Sequence, residues 1–120
     1  MNSYVLEKRT SESILYNIDC TNILGINELI IDIISIESDQ EGLVFQNFGI
    51  NPDPIIFPDN YVADAGKVIS VQISEGIIPI PQINQLYTIR ALFDTSENNI
   101  REATVLLNVT NIPVQIGRIL

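Results

Sequence analysis

The residues able to do chemistry in this chain are mostly carboxylates. Fifteen Asp and Glu stand against six Lys and Arg, histidine is absent, and Cys20 is the single cysteine. Without histidine there is no Ser–His or Cys–His pair and little zinc chemistry. Carboxylate pairs, or a serine with a lysine, remain as catalytic options. The acidic residues fall in turns and on polar strand faces with no pocket signal, so the chain reads as non-enzymatic. Asp53, Asp59 and Asp64 share one segment. They lack the alternating ligand spacing and the glycine of a compact calcium loop, so they read as a solvated acidic loop. No catalytic, metal-binding or cofactor-binding residue is assigned, and no cofactor is expected. Cys20 has Ile18 and Ile23 as near neighbours. It reads as a small buried hydrophobe, and a lone cysteine forms no intrachain disulfide.

The elements around these residues are strands. Tyr87, Ile89, Ala91 and Phe93 alternate with Thr88, Arg90 and Asp94. Ala103, Val105, Leu107 and Val109 alternate with Glu102, Thr104, Leu106 and Asn108. A period of two gives each run one apolar face. Residues 95–99, Thr-Ser-Glu-Asn-Asn, carry no apolar side chain and are rich in turn formers. The two runs therefore read as an antiparallel hairpin. The competing reading places them in different sheets joined by a polar corner.

Elsewhere the same period recurs. Residues 1–10 form a mixed N-terminal arm. Ile14, Tyr16 and Ile18 mark a first strand, and residues 21–25 read as a loop or single turn. Residues 28–38 change phase near Ile33 and Ile34, which predicts a β-bulge or a central strand buried on both faces. A helix is the competing reading, disfavoured by the density of β-branched residues. Residues 39–42 are a turn and 43–50 a strand, and with 28–38 they offer a second hairpin. Pro52, Pro54 and Pro58 make residues 51–66 edge or loop material. Residues 67–74 resume the strand pattern, with Val68 on one parity and Ile69, Val71 and Ile73 on the other.

At 120 residues, 46% apolar and 18% charged, the chain is one globular domain. It is all-β: a single Ig-like antiparallel β-sandwich of about six to eight strands, with extended N- and C-terminal arms. The sandwich spans residues 11–110, and the arms are residues 1–10 and 111–120. A net charge of −9 argues against nucleic acid and anionic membranes as partners and favours a basic one. No secretory signal and no apolar run of about 18 residues is visible.

Two stretches carry contact potential. Ile77, Ile78 and Ile80 lie among Pro79 and Pro81, which resist ladder continuation. Ile112, Val114, Ile116, Ile119 and Leu120 form an apolar tail whose only charge is Arg118. Semi-exposed apolar segments of this kind mark contact surfaces, and such a tail can add to a neighbouring subunit. Covering one end of the domain's own core is the competing role for both.

The two ends of the chain resemble a family of small tailed-phage virion proteins described as fiber-tail adaptors. Residues 11–21, Ser-Glu-Ser-Ile-Leu-Tyr-Asn-Ile-Asp-Cys-Thr, correspond to that family's opening strand, with Cys20 in place of its usual Trp. Ser74-Glu75-Gly76, Tyr87-Thr88-Ile89, residues 96–99, and the run from Arg101 to Val105 correspond to its closing strands. The likeness covers about half the chain. Residues 77–86 are longer than the family's Gly-rich link, and residues 51–66 have no counterpart. The resemblance implies a structural virion component, made in the host cytoplasm. It would be a tail adaptor in a multi-copy assembly with other tail or fiber proteins. A capsid decoration protein bound to the major capsid protein is the alternative. A carbohydrate-binding module is a more distant one, with Tyr4 and Tyr61 as the available surface aromatics.

Overall fold

Strands form here because a pleated backbone sends every second side chain to the same face, and the apolar residues follow that period. The computed structural model describes residues 5–111. Its strands are β1 (Val5–Arg9), β2 (Ser13–Asp19), β3 (Ile30–Ser38), β4 (Leu43–Ile50), β5 (Ile55–Ile56), β6 (Val62–Ala63), β7 (Val68–Glu75), β8 (Asn84–Thr95) and β9 (Ile100–Thr110). A 3-10 turn covers Thr21–Ile23. One sheet runs β1-β9-β8-β3, the second β2-β7-β4, and β5 and β6 make a separate ribbon. The fold is the all-β sandwich expected, with nine strands among the described residues.

The β8–β9 pair is the antiparallel hairpin read from the sequence, in register from Asn84↔Thr110 to Asp94↔Ile100. Tyr87, Ile89, Ala91 and Phe93 of β8 are buried with Ala103, Leu107 and Val109 of β9. They meet Ile18, Ile69, Val71 and Ile73 from the second sheet in one cluster. Each such Ile, Val or Leu contributes about 1.5–3 kcal/mol by leaving water.

Residues 5–9, read as part of an arm, are an edge strand. They pair parallel to β9, Val5↔Leu106 through Arg9↔Thr110, so the sandwich is not purely antiparallel. Lys8 explains the docking. Its buried ammonium donates to the Arg9 carbonyl at 2.6 Å and to the Glu75 carbonyl at the end of β7. Burial lowers the Lys8 pKa, and the nearby charges of Glu12 and Glu75 oppose that. The Tyr16 hydroxyl of β2 donates to the Glu7 carbonyl of β1, a second tie between the sheets.

A further sequence expectation is corrected. Residues 28–38 and 43–50 are not a hairpin: β3 pairs with β8 and β4 with β7, in different sheets. Asp39 holds the crossing, its N–H donating to Thr88 O at 3.0 Å and its carboxylate accepting from Thr88 N at 2.9 Å. Gly42 then turns the chain at φ +123°, where a Cβ would lie 3.0 Å from Ile77 and the Tyr87 hydroxyl. Of the two strand readings of residues 28–38 the bulge holds, and the doubly buried central strand does not, since β3 is an edge strand. The phase switch is a bulge, with register shifts between Ile30 and Asp32 and between Ile33 and Ser35 that leave Ile31 and Ile34 exposed. Val68 is buried as fully as Ile69, Val71 and Ile73 although it lies on the opposite parity.

Gly76 closes the second sheet at φ +130°, and a Cβ there would stand 2.9 Å from a methyl of Val109. Replacing it with alanine adds a left-handed strain and a core clash. Gly76→Ala is expected to cost about 1–3 kcal/mol, read as a lower urea midpoint at unchanged slope.

Candidate functional site

The link between β7 and β8 is one of the places where the fold exposes apolar surface, beside single residues elsewhere such as Ile26, Ile56 and Ile100. It begins at Gly76 and is anchored by one core side chain. The buried Tyr87 hydroxyl accepts from Ile77 N at 2.8 Å and donates to Ile77 O at 2.9 Å. Gln82 N donates to Pro79 O at 2.8 Å, closing a turn at the far side. Two prolines with no N–H to give hold this segment out of either sheet. The side chains consequently part company. Ile78 packs against the core, whereas Ile77 is 60% exposed and Ile80 96%.

Ile83, which the sequence reading did not single out, is 66% exposed and belongs to the same link. Its signal was an isolated isoleucine between Gln82 and Asn84, outside any alternation. Its carbonyl accepts from Asn111 N at 3.2 Å. The chain therefore passes beside this link as it leaves β9. Ile112, Val114, Ile116, Ile119 and Leu120 lie outside the described residues, as does Tyr4. Leu86 and Val5 add exposed apolar surface on the outer face of the larger sheet nearby, where Leu86 pairs with Asn108 and Val5 with Leu106.

The polar groups have structural partners. Glu28, expected on a polar surface, is completely buried. Its Oε1 accepts from Gly25 N at 2.9 Å and Arg101 Nε at 2.8 Å, and its Oε2 from Thr95 Oγ1 at 2.5 Å and Asn99 Nδ2 at 2.8 Å. The Gly25 N–H, then Thr95 and Asn99, with Arg101 adding to them against the effect of burial, hold its pKa down to about 2. This carboxylate joins the loop before β3 to the β8–β9 turn. Lys67 is buried too, its ammonium donating to Ile26 O at 2.9 Å. Cys20 is buried, and burial pushes its thiol up to about 12, so the thiolate is scarce at neutral pH. Among the described residues no three His, Cys, Asp or Glu are grouped to hold a metal ion. None of the described helices is long and apolar enough to cross a membrane.

Asn51 organises the proline-rich segment. Its Oδ1 accepts from Lys67 N at 3.1 Å and Val68 N at 2.9 Å, and its Nδ2 donates to Asp53 O at 2.9 Å and Asp64 O at 3.0 Å. The β5–β6 ribbon that follows carries Phe57 and Tyr61 at its tip. Tyr61 is solvent-facing, and Phe48 on β4 is a further exposed aromatic that the sequence reading had not counted.

Comparison with known proteins adds no relative: no family model matches the chain, and neither a curated protein nor a solved structure does.

Proposed function

We propose that this chain is a non-enzymatic structural protein of a bacteriophage virion, a tail adaptor that connects fibers or spikes to the tail. The observation that carries this reading is the apolar link, in which Ile77, Ile80 and Ile83 face solvent from a backbone bonded to the buried Tyr87. Aliphatic side chains held outward on an anchored loop favour a protein partner. The resemblance of residues 11–21 and of the closing strands to fiber-tail adaptors supplies the class. The apolar tail starts beside the link, because Asn111 is bonded to Ile83. Link and tail then act together on neighbouring virion subunits. Main-chain pairing of the tail along a partner's sheet edge gives register, and its apolar side chains give affinity.

Deletion of residues 112–120, with Asn111 retained for its bond to Ile83, tests the proposal. The shortened protein is expected to keep its circular dichroism spectrum and its thermal midpoint while losing incorporation into particles. Unfolding of the shortened domain would assign the tail to its own core, and normal incorporation would remove the tail from assembly. Copy number by quantitative mass spectrometry of purified virions separates the two virion roles. An adaptor is present in tens of copies or fewer, and hundreds of copies would favour capsid decoration.

A further inference from the structure

The tip of the β5–β6 ribbon forms a second surface, remote from the apolar link. It sits beside Asp19, which pairs with Val68 at the start of β7, whereas the link follows Glu75 at the other end of that strand. An eight-residue strand separates the two by about 25 Å. The tip and the link are therefore separate surfaces.

The tip is built by a tight turn. Phe57 N donates to Tyr61 O at 2.8 Å, Asn60 N donates to Phe57 O at 2.9 Å, and Asn60 adopts φ +68°. The two rings stand on the same side, with centroids 6.0 Å apart and planes tilted by 36°. Together with Pro58, Asp19 and Asp59 they line an open cavity of about 210 Å³. Both carboxylates are oriented by local bonds through one oxygen. Asp19 Oδ1 accepts from Thr21 N at 3.0 Å and Thr21 Oγ1 at 2.6 Å, and Asp59 Oδ1 accepts from Tyr61 N at 3.2 Å. Two aromatic rings, Pro58 and two carboxylates thus line one cavity, with no Lys or Arg among the lining residues.

From this arrangement we infer that the ribbon-tip cavity binds the guanidinium of an arginine side chain presented by a partner protein. Aromatic faces attract cations through the ring quadrupole within about 6 Å. A guanidinium is flat enough to lie on Tyr61 while its N–H groups fork towards carboxylates. Two carboxylates beside the rings supply a charge that a neutral ligand does not need. The chain's net charge of −9 adds a long-range field that draws a basic partner in. A neutral sugar would also stack on Tyr61 and donate hydroxyls to the carboxylates, but it carries no positive charge to offset theirs, so the charge of the site favours a cation.

The test is a titration of the intact 15N-labelled protein with Nα-acetyl-arginine amide, followed by amide shifts. The neutral citrulline amide, the lysine amide and methyl glucoside are run in parallel. Saturable shifts confined to residues 57–61 and around Asp19 are expected with the arginine compound, at a millimolar Kd that rises with salt. The Asp19→Asn/Asp59→Asn double variant keeps both Oδ1 acceptors and removes both charges. It and Tyr61→Ala are each expected to weaken binding about tenfold. Dispersed spectra away from the ribbon check that the variants are folded. The inference is overturned if the arginine compound causes no shift, if citrulline or lysine amide binds equally well, or if only the glucoside binds.

Discussion

Replacing Glu28 with alanine is expected to lower the melting temperature by about 10 °C or more. The carboxylate is wholly buried and accepts from Gly25, Thr95, Asn99 and Arg101. Removing it takes the acceptor from four donors at the junction of two loops, of which Thr95 is buried while Asn99 and Arg101 reach solvent. Leaving a buried donor without a partner is costlier than the bond itself was worth. A pH signature separates this from ordinary loss of packing. The Glu28 carboxyl is held at about 2, below its ordinary 4.5, by those donors. Its contribution is therefore fully present above pH 4.5 and is lost as pH falls towards 2. Urea midpoints of the native protein should fall through that window more steeply than those of Glu28→Gln, which carries no titrating group there. Parallel curves for the two proteins would show that Glu28 does not hold the loops by its charge.

Asn51→Ala is expected to cost about 3 kcal/mol, measured by urea unfolding at constant slope. One side chain here replaces a stretch of missing ladder. Its amide bonds Lys67 N, Val68 N, Asp53 O and Asp64 O, and its own backbone bonds Val68 O and Gly66 N. Alanine leaves the N–H groups of Lys67 and Val68 without that acceptor in a buried setting. Hydrogen exchange at those two amides should accelerate well beyond the change at Ile89 or Leu107, which lie in the hairpin core. Uniform acceleration across the domain would instead show that the loop and core open as one unit.

The parts of this protein legible in the sequence are those governed by local periodicity. Tyr87, Ile89, Ala91 and Phe93 announce a strand and its buried face, because alternation follows from the pleat whatever the partner strand is. The polar run 95–99 announces a turn between two alternating runs, and those runs do pair as a hairpin. The prolines between Ile77 and Gln82 announce a segment outside the ladders, and Ile77 and Ile80 are indeed solvent-facing there.

Choices between distant partners are not written in that period. Nothing local separates a turn within one sheet from a turn between two, so residues 39–42 read as a hairpin although β3 and β4 sit in different sheets. Residues 5–9 look like an arm until β9 supplies an edge and Glu75 a carbonyl for the Lys8 ammonium. Glu28 looks like a surface carboxylate because its donors are mostly supplied by residues some seventy positions away, on the far hairpin. Asp19 and Tyr61 are likewise strangers in sequence, brought to one cavity by the return of the chain from β4 to β7. Composition and alternation determined that this chain is an all-β sandwich with an apolar link. Only long-range pairing decided which edges, carboxylates and rings meet, because a side chain's surroundings depend on backbone that is distant in sequence and near in space.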